Sequence, residues 1–262
     1  MITSERTSQH AFFGVSALLF AVSTTITILW CRSMSAMGEM PMPGGWTMSM
    51  TWMPGQSWPL AAASFLVMWL VMMVAMMLPS LVPMLLRYRR AVGGSGGDRL
   101  GRLTTLVSTG YFLVWTVSGM AAFPLGVVLA TIEMQEPALA QTVPVAVGFV
   151  VLIAGSMQFT AWKQRHLVGC REAPECGWML AADAGTAWRH GLRLGIHCAH
   201  CCAGLTTILL VIGVMDLRAM AVVGAAITVE RLAPSGVRVA RAIGAVIIVA
   251  GLLLILRGAG LR

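Results

Sequence analysis

Two histidines and three cysteines crowd into six residues of "GIHCAHCCAG" (195–204): His197, Cys198, His200, Cys201 and Cys202. On a helix advancing about 100° per residue, Cys198, Cys201 and Cys202 fall within one sector of about 100°, and His197 borders it. Thiolates beside an imidazole are soft-metal ligands, suited to Cu(I), Zn(II) or iron–sulfur centres. Crowding on one helix favours low coordination and therefore Cu(I), with zinc as the alternative. A single cysteine is an ordinary small residue at helix contacts. This stretch, however, opens an apolar segment, where ionisable groups are costly and tend to be functional.

A second soft set precedes it. In "VMWLVMMVAMMLPSLVPM" (67–84), Met68, Met72, Met73, Met76 and Met77 share about half of a helix surface. Met76 lies ten residues from the basic end of its segment and Cys201 about eight from the basic end of its own. Those separations are about 15 and 12 Å of helix, so thioethers and thiols meet at one level if the two helices are neighbours. Pro79 and Pro83 are expected to kink or open the helix just below, freeing carbonyls. Methionine is also adaptable core packing.

A third set lies in "MGEMPMPGGWTMSMTWMPG" (37–55), where Met37, Met40, Met42, Met48, Met50 and Met53 recur at short intervals. A thioether binds Cu(I) and, unlike a thiol, cannot be locked into a disulfide by an oxidising compartment. Trp46 and Trp52 could face the cation or sit at a membrane interface. The prolines keep the segment extended. His166 and Cys170 in "KQRHLVGCR" (163–171) are spaced for one helical face, and Cys176 follows.

The elements that must position these residues are membrane helices. Of 262 residues, 58% are hydrophobic and 11% charged, with mean hydropathy +0.82; a soluble domain carries about 25% charged residues. The net charge of +8 does not describe a nucleic-acid face, because the arginines and the single lysine, Lys163, sit mostly in short loops between apolar stretches, the positive-inside pattern. Five of the six cysteines fall between residues 170 and 202, which suits metal or redox chemistry rather than a secreted disulfide framework. The first apolar segment lacks a cleavage site and reads as an anchor.

The expected fold is all-α, a polytopic transmembrane helix bundle of about seven spans. Six apolar segments (12–30, 61–86, 105–130, 143–162, 194–214, 239–257) approach the roughly 20 residues that a span needs, and a short or re-entrant seventh covers 218–230. An N-terminus in the cytoplasm puts 14 basic residues inside and 4 outside with seven spans, or 13 and 5 with six. The location is then a bacterial inner membrane, with the methionine segment outside and 163–193 a cytoplasmic connection. Three parts follow: an anchor helix and Met-rich loop (1–60), a metal-binding transmembrane core (61–235) and a C-terminal helix (236–262).

"MMVAMMLPSLVP" (72–83), "KQRHLVGCR" (163–171), and "CAHCC" followed by "GVMDLRAM" (198–220) resemble the predicted metal-binding integral membrane proteins of bacteria, a domain of unknown function with a C-x-x-C-C element and an AMMLPS-x-x-P segment. The likeness covers about residues 60–235. It places Cys198, Cys201 and Cys202 on the family's C-x-x-C-C element, with Ala203 where Trp is frequent. It also places His166 in the first cysteine position of K-x-x-C-L-x-x-C-R, before Leu167, Cys170 and Arg171. The resemblance implies metal binding.

The function expected is binding of a soft metal, Cu(I), for transport or delivery across the membrane, with a copper-handling protein or accessory membrane subunit as partner besides lipid. The methionine segment would collect the ion, Met72, Met73, Met76 and Met77 pass it on, and the thiols receive it. No G-x-x-x-x-G-K-[ST] loop is present, so transport would be facilitated, gradient-coupled or driven by a partner. Two alternatives use the same chain differently: a thiol–disulfide oxidoreductase built on the Cys198–Cys201 dithiol, and an assembly or scaffold subunit. No residue set supports hydrolysis, since Glu39, Glu133 and Glu136 read as loop carboxylates and Asp216 and Glu230 as interfacial flanks of the short segment, with a coupling-proton site as the alternative for Glu230 beside Arg231.

Overall fold

The computed structural model describes residues 2–36, 40–42, 46–48, 57–92, 97–171 and 182–260. Its elements are α1 (Ile2–Ala36), β1 (Met40–Met42), β2 (Trp46–Met48), α2 (Trp58–Val92), α3 (Gly97–Gln135), α4 (Pro137–Met157), α5 (Ala161–Arg171), α6 (Ala184–Ile212), α7 (Leu217–Leu232) and α8 (Gly236–Gly258). Apart from a two-stranded antiparallel ribbon it is all helix. Segments α1, α2, α3, α6 and α8 are long and apolar enough to cross a membrane, and α4 with α5 forms a pair bent by 65° that makes a sixth candidate. The seventh segment is α7, whose 16 residues are about 24 Å long, short of a hydrocarbon core of about 30 Å.

Polar side chains ride in these helices by bonding their own backbone. Thr104, Thr105, Ser108, Thr109 and Thr116 of α3 each donate to the carbonyl four residues earlier, which satisfies these five hydroxyls in an apolar medium. Helix starts are fixed chemically: Asp183 caps α6 by accepting from the Thr186 N–H at 2.8 Å, and Asp216 caps α7 through the N–H groups of Arg218 and Ala219. Gly213, at φ 129°, makes the turn between these two helices in a conformation that side chains resist. Pro79 and Pro83 do not break α2, which runs through both.

Between helices in lipid the hydrophobic effect offers little, so close approach through small residues does the packing. A Cβ on Gly148 or Gly155 of α4 would strike Ile255, Ile247 or Ile248 of α8, and one on Gly251 would strike Leu152. These notches seat α8 antiparallel along α4. On the other side, the Trp69 indole of α2 lies over Gly119 and donates to the Trp115 carbonyl at 2.9 Å, locking α2 to α3. The α2 helix packs chiefly on α1, α3 and α7.

Candidate metal centre

The pocket begins with a glycine stripe. Gly191 and Gly195, four apart on α6, present their bare Cα atoms to the Val107 and Tyr111 carbonyls of α3, and Gly110 does the same for the Trp188 carbonyl. Backbones this close carry the Tyr111 hydroxyl to 3.0 Å from Cys198 Sγ. The break between α4 and α5 supplies the opposite wall. After residue 157 the chain takes tighter turns, Phe159 N–H to the Ser156 carbonyl and Thr160 N–H to that of Met157, and Thr160 Oγ1 then accepts from the Lys163 N–H at 3.2 Å to open α5. The new direction lays α5 on α6.

Four thiols meet there. The sulfurs of Cys198, Cys201 and Cys202 all lie within 4.8 Å of one another. Cys202 Sγ is 3.8 Å from Cys198 Sγ and 3.6 Å from Cys201 Sγ, and Cys170 Sγ of α5 stands 3.5 Å from Cys201 Sγ. All four are buried. No disulfide joins the described cysteines. The donors are soft and carry no carboxylate, a set that suits a soft cation and disfavours calcium or magnesium.

Three charged side chains complete the surroundings. Arg231, near the end of α7, is 2% exposed. Its Nη1 donates to Ser80 Oγ at 2.8 Å, lies 3.2 Å from Cys198 Sγ and 3.3 Å from the Tyr111 oxygen. Ser80 in turn donates to the Met77 carbonyl. A guanidinium does not shed its proton, so burial here calls for a negative partner, a role that Cys198 would fill as a thiolate. The adjacent Glu230 turns the other way. It accepts from Lys163 Nζ at 2.7 Å and Gln158 Nε2 at 3.1 Å, and Lys163 also donates to the Cys201 carbonyl. This ion pair is 4% and 2% exposed.

The histidines expected among the thiols form a group of their own. His166 Nδ1 is 3.2 Å from His197 Nδ1, the His166 and His200 rings stack at 4.7 Å, and Trp162 edges both His166 and His200. Among the described residues the ligand atoms mutually within 4.8 Å are the three cysteines and no histidine. His197 is drawn aside by Gly169, whose missing Cβ leaves room for the ring. On each helix the histidine precedes a cysteine by four residues, so the imidazole pair adjoins the thiol pair along the α5–α6 seam.

Met72, Met73, Met76 and Met77 are all buried. Met76 lies against Gly224 of α7, and α2 approaches the thiols through Ser80 and Arg231. In the ribbon the register pairs Met40 with Met48 and Met42 with Trp46; Met37, Met50, Met53 and Cys176 lie outside the described residues.

The family model described as PpoB2, copper chaperone, matches residues 66–254. The chain belongs to this family. No curated protein and no solved structure matches it. The thiol pocket, its arginine and its ion pair all fall inside the PpoB2 match, whereas α1 and the methionine ribbon precede it.

In this PpoB2 member, sequence reasoning did not find Tyr111, Arg231, Gln158 or the Lys163–Glu230 pair as parts of the site. The signal was available for the charged three, because ionisable residues within or beside apolar segments usually need partners. It was misread because Lys163 sits in a basic run and Glu230 next to Arg231, both of which look interfacial.

Proposed function

We propose that this protein is a membrane copper chaperone of the bacterial inner membrane that holds Cu(I) in the Cys198–Cys201–Cys202 pocket, with Cys170 as a fourth thiol, and delivers it to a copper-handling protein. The observation that carries the reading is the convergence of three sulfurs within 4.8 Å of one another, one of them, Cys198 Sγ, 3.2 Å from a buried guanidinium. A Cu(I) ion held by two thiolates has net charge −1, and Arg231 balances it without water. Each thiol that binds copper gives up its proton, and an apolar wall raises the cost of any charge left over.

The route runs from the methionine segment, outside, along Met72, Met73, Met76 and Met77 of the core (61–235) to the thiols, with His166, His197 and His200 beside them on the exit side. Seven crossings with a cytoplasmic N-terminus fit the helix directions: α7 runs from the turn at Gly213 back into the bundle, and α8 returns antiparallel to α4. Residues 1–60 then form the anchor and collecting segment and 236–262 the closing helix.

Detergent-purified protein, loaded with Cu(I) under reducing conditions, is expected to retain copper in near-stoichiometric amount. The Cys198→Ser/Cys201→Ser/Cys202→Ser variant should lose the tightly held fraction. Unchanged tight copper in that variant, or no copper in the wild type together with a reversible Cys198–Cys201 disulfide, would sink the reading; the second result would promote a thiol–disulfide relay.

A further inference from the structure

Sulfur gathers a second time, where α1 ends and α7 begins. Cys31 of α1, Met68 and Met72 of α2, Met215 of the α6–α7 turn and Met220 of α7 line one cavity of about 10 Å³, beside Trp30. Cys31 Sγ is 3.9 Å from Met215 Sδ. Cys31, Met72 and Met220 are 3%, 2% and 5% exposed.

The size and the wall together define the occupant. About 10 Å³ is the room for one water-sized body, and a water held there needs two to four polar partners. The wall offers sulfur, an indole, a valine and Thr27, whose hydroxyl already donates to the Ser23 carbonyl at 2.8 Å. Methionine used as filler adapts until gaps close; here four thioethers and a thiol from separate pieces of chain leave the gap open. One thiolate with neutral thioethers is a donor set for a soft monovalent cation. The Cys31 proton leaves and Cu(I) enters, so the charges of thiolate and ion cancel, as an apolar wall requires.

We propose that this cavity is a second Cu(I) site, with Cys31 as thiolate ligand and Met215, Met72 and Met220 as the thioethers that complete it. Along α2, Met72 is eight residues from Ser80, about 12 Å of helix, so the site is separate from the thiol pocket. It stands on the side from which the methionine ribbon departs. It does not depend on the thiol pocket binding metal.

The test titrates Cu(I) against a chromogenic chelator in two backgrounds, wild type and Cys198→Ser/Cys201→Ser/Cys202→Ser, each with and without Cys31→Ser/Met215→Leu. The expected result is loss of one Cu(I) equivalent on changing Cys31 and Met215 in both backgrounds. Equal stoichiometry with and without those changes overturns the site. If the triple serine variant alone abolishes all binding, the inference fails while the chaperone reading stands; the reverse holds if only the Cys31 set binds. Should Cys31→Ser/Met215→Leu fail to fold, copper X-ray absorption decides, using the triple serine protein with Cys170 also changed to serine and Met37, Met40, Met42, Met48, Met50 and Met53 changed to leucine. A first shell of sulfur alone supports the site, and an oxygen or nitrogen shell, or no copper, refutes it.

Discussion

Arg231 Nη1 stands 3.2 Å from Cys198 Sγ inside an apolar bundle, so the pocket holds a cation before any metal arrives. Hydrogen bonds to charged groups contribute about 1.5–3 kcal/mol, and each 1.4 kcal/mol is about tenfold in affinity. Arg231→Met is therefore expected to weaken Cu(I) binding by about 10- to 100-fold, with Arg231→Lys recovering part of the loss. Competition titration of folded variants measures it. Equal affinity in the methionine variant would mean that the guanidinium serves packing alone.

The Lys163–Glu230 pair gives a stability prediction. Removing one partner of a buried pair leaves an uncompensated charge, at a cost of about 3–5 kcal/mol, whereas replacing both by apolar groups is often neutral. Glu230→Gln should lower the unfolding midpoint sharply in detergent, and Lys163→Met/Glu230→Leu should restore most of it. A double-mutant cycle showing simple additivity would contradict the pairing.

The glycine stripe on α6 predicts a contrast between two like substitutions. A Cβ at Gly195 would push on Tyr111 and Val114, while one at Gly101 meets nothing within 4 Å. Gly195→Ala should cost about 1–3 kcal/mol by overpacking and weaken copper binding by displacing the Tyr111 hydroxyl from Cys198. Gly101→Ala, by helix propensity, should be neutral or stabilising by up to about 1 kcal/mol. Matching thermal shifts for the two would remove the notch from the account.

Acid should loosen the start of α6. The Thr186 backbone N–H, with the Thr186 hydroxyl, holds the Asp183 carboxyl below the usual carboxylate range. A depressed folded-state pKa means that the cap's contribution is present above the unfolded-state value and is lost as pH falls through the folded-state value. Amide exchange at 184–187, corrected for intrinsic rate, should therefore rise below the ordinary aspartate range. Asp183→Asn, which still caps, should flatten that dependence.

The thiol pocket was legible because spacing on one helix is a local property: Cys198, Cys201 and Cys202 share a face wherever that helix goes. Cys170 was half legible. Its four-residue spacing from His166 suited a helix, but "KQRHLVGCR" is too polar to announce one that docks inside the bundle, and α5 does so only because the break after Met157 turns it. Arg231 and Glu230 were not legible as parts of the thiol pocket, since Glu230 reads as an interfacial flank or, beside Arg231, as a coupling-proton site. Their partners are 33 and 67 positions away, and no period in the sequence encodes such distances. Met72, Met73, Met76 and Met77 of α2 are buried, yet the helices α2 packs on are α1, α3 and α7, a choice that glycine and tryptophan packing makes.

The last turn of α7 carries two adjacent charges that grip different helices, Arg231 holding α2, α3 and α6 and Glu230 holding Gln158 at the end of α4 and Lys163 of α5. Any displacement of α7 that withdraws the guanidinium from the thiols also draws Glu230 away from Lys163 and strands an ammonium in a dry interior. The thiol pocket is thus kept shut by an electrostatic penalty at an ion pair that contains no thiol. Opening of the pocket by that route is all or none, because the two contacts break as one.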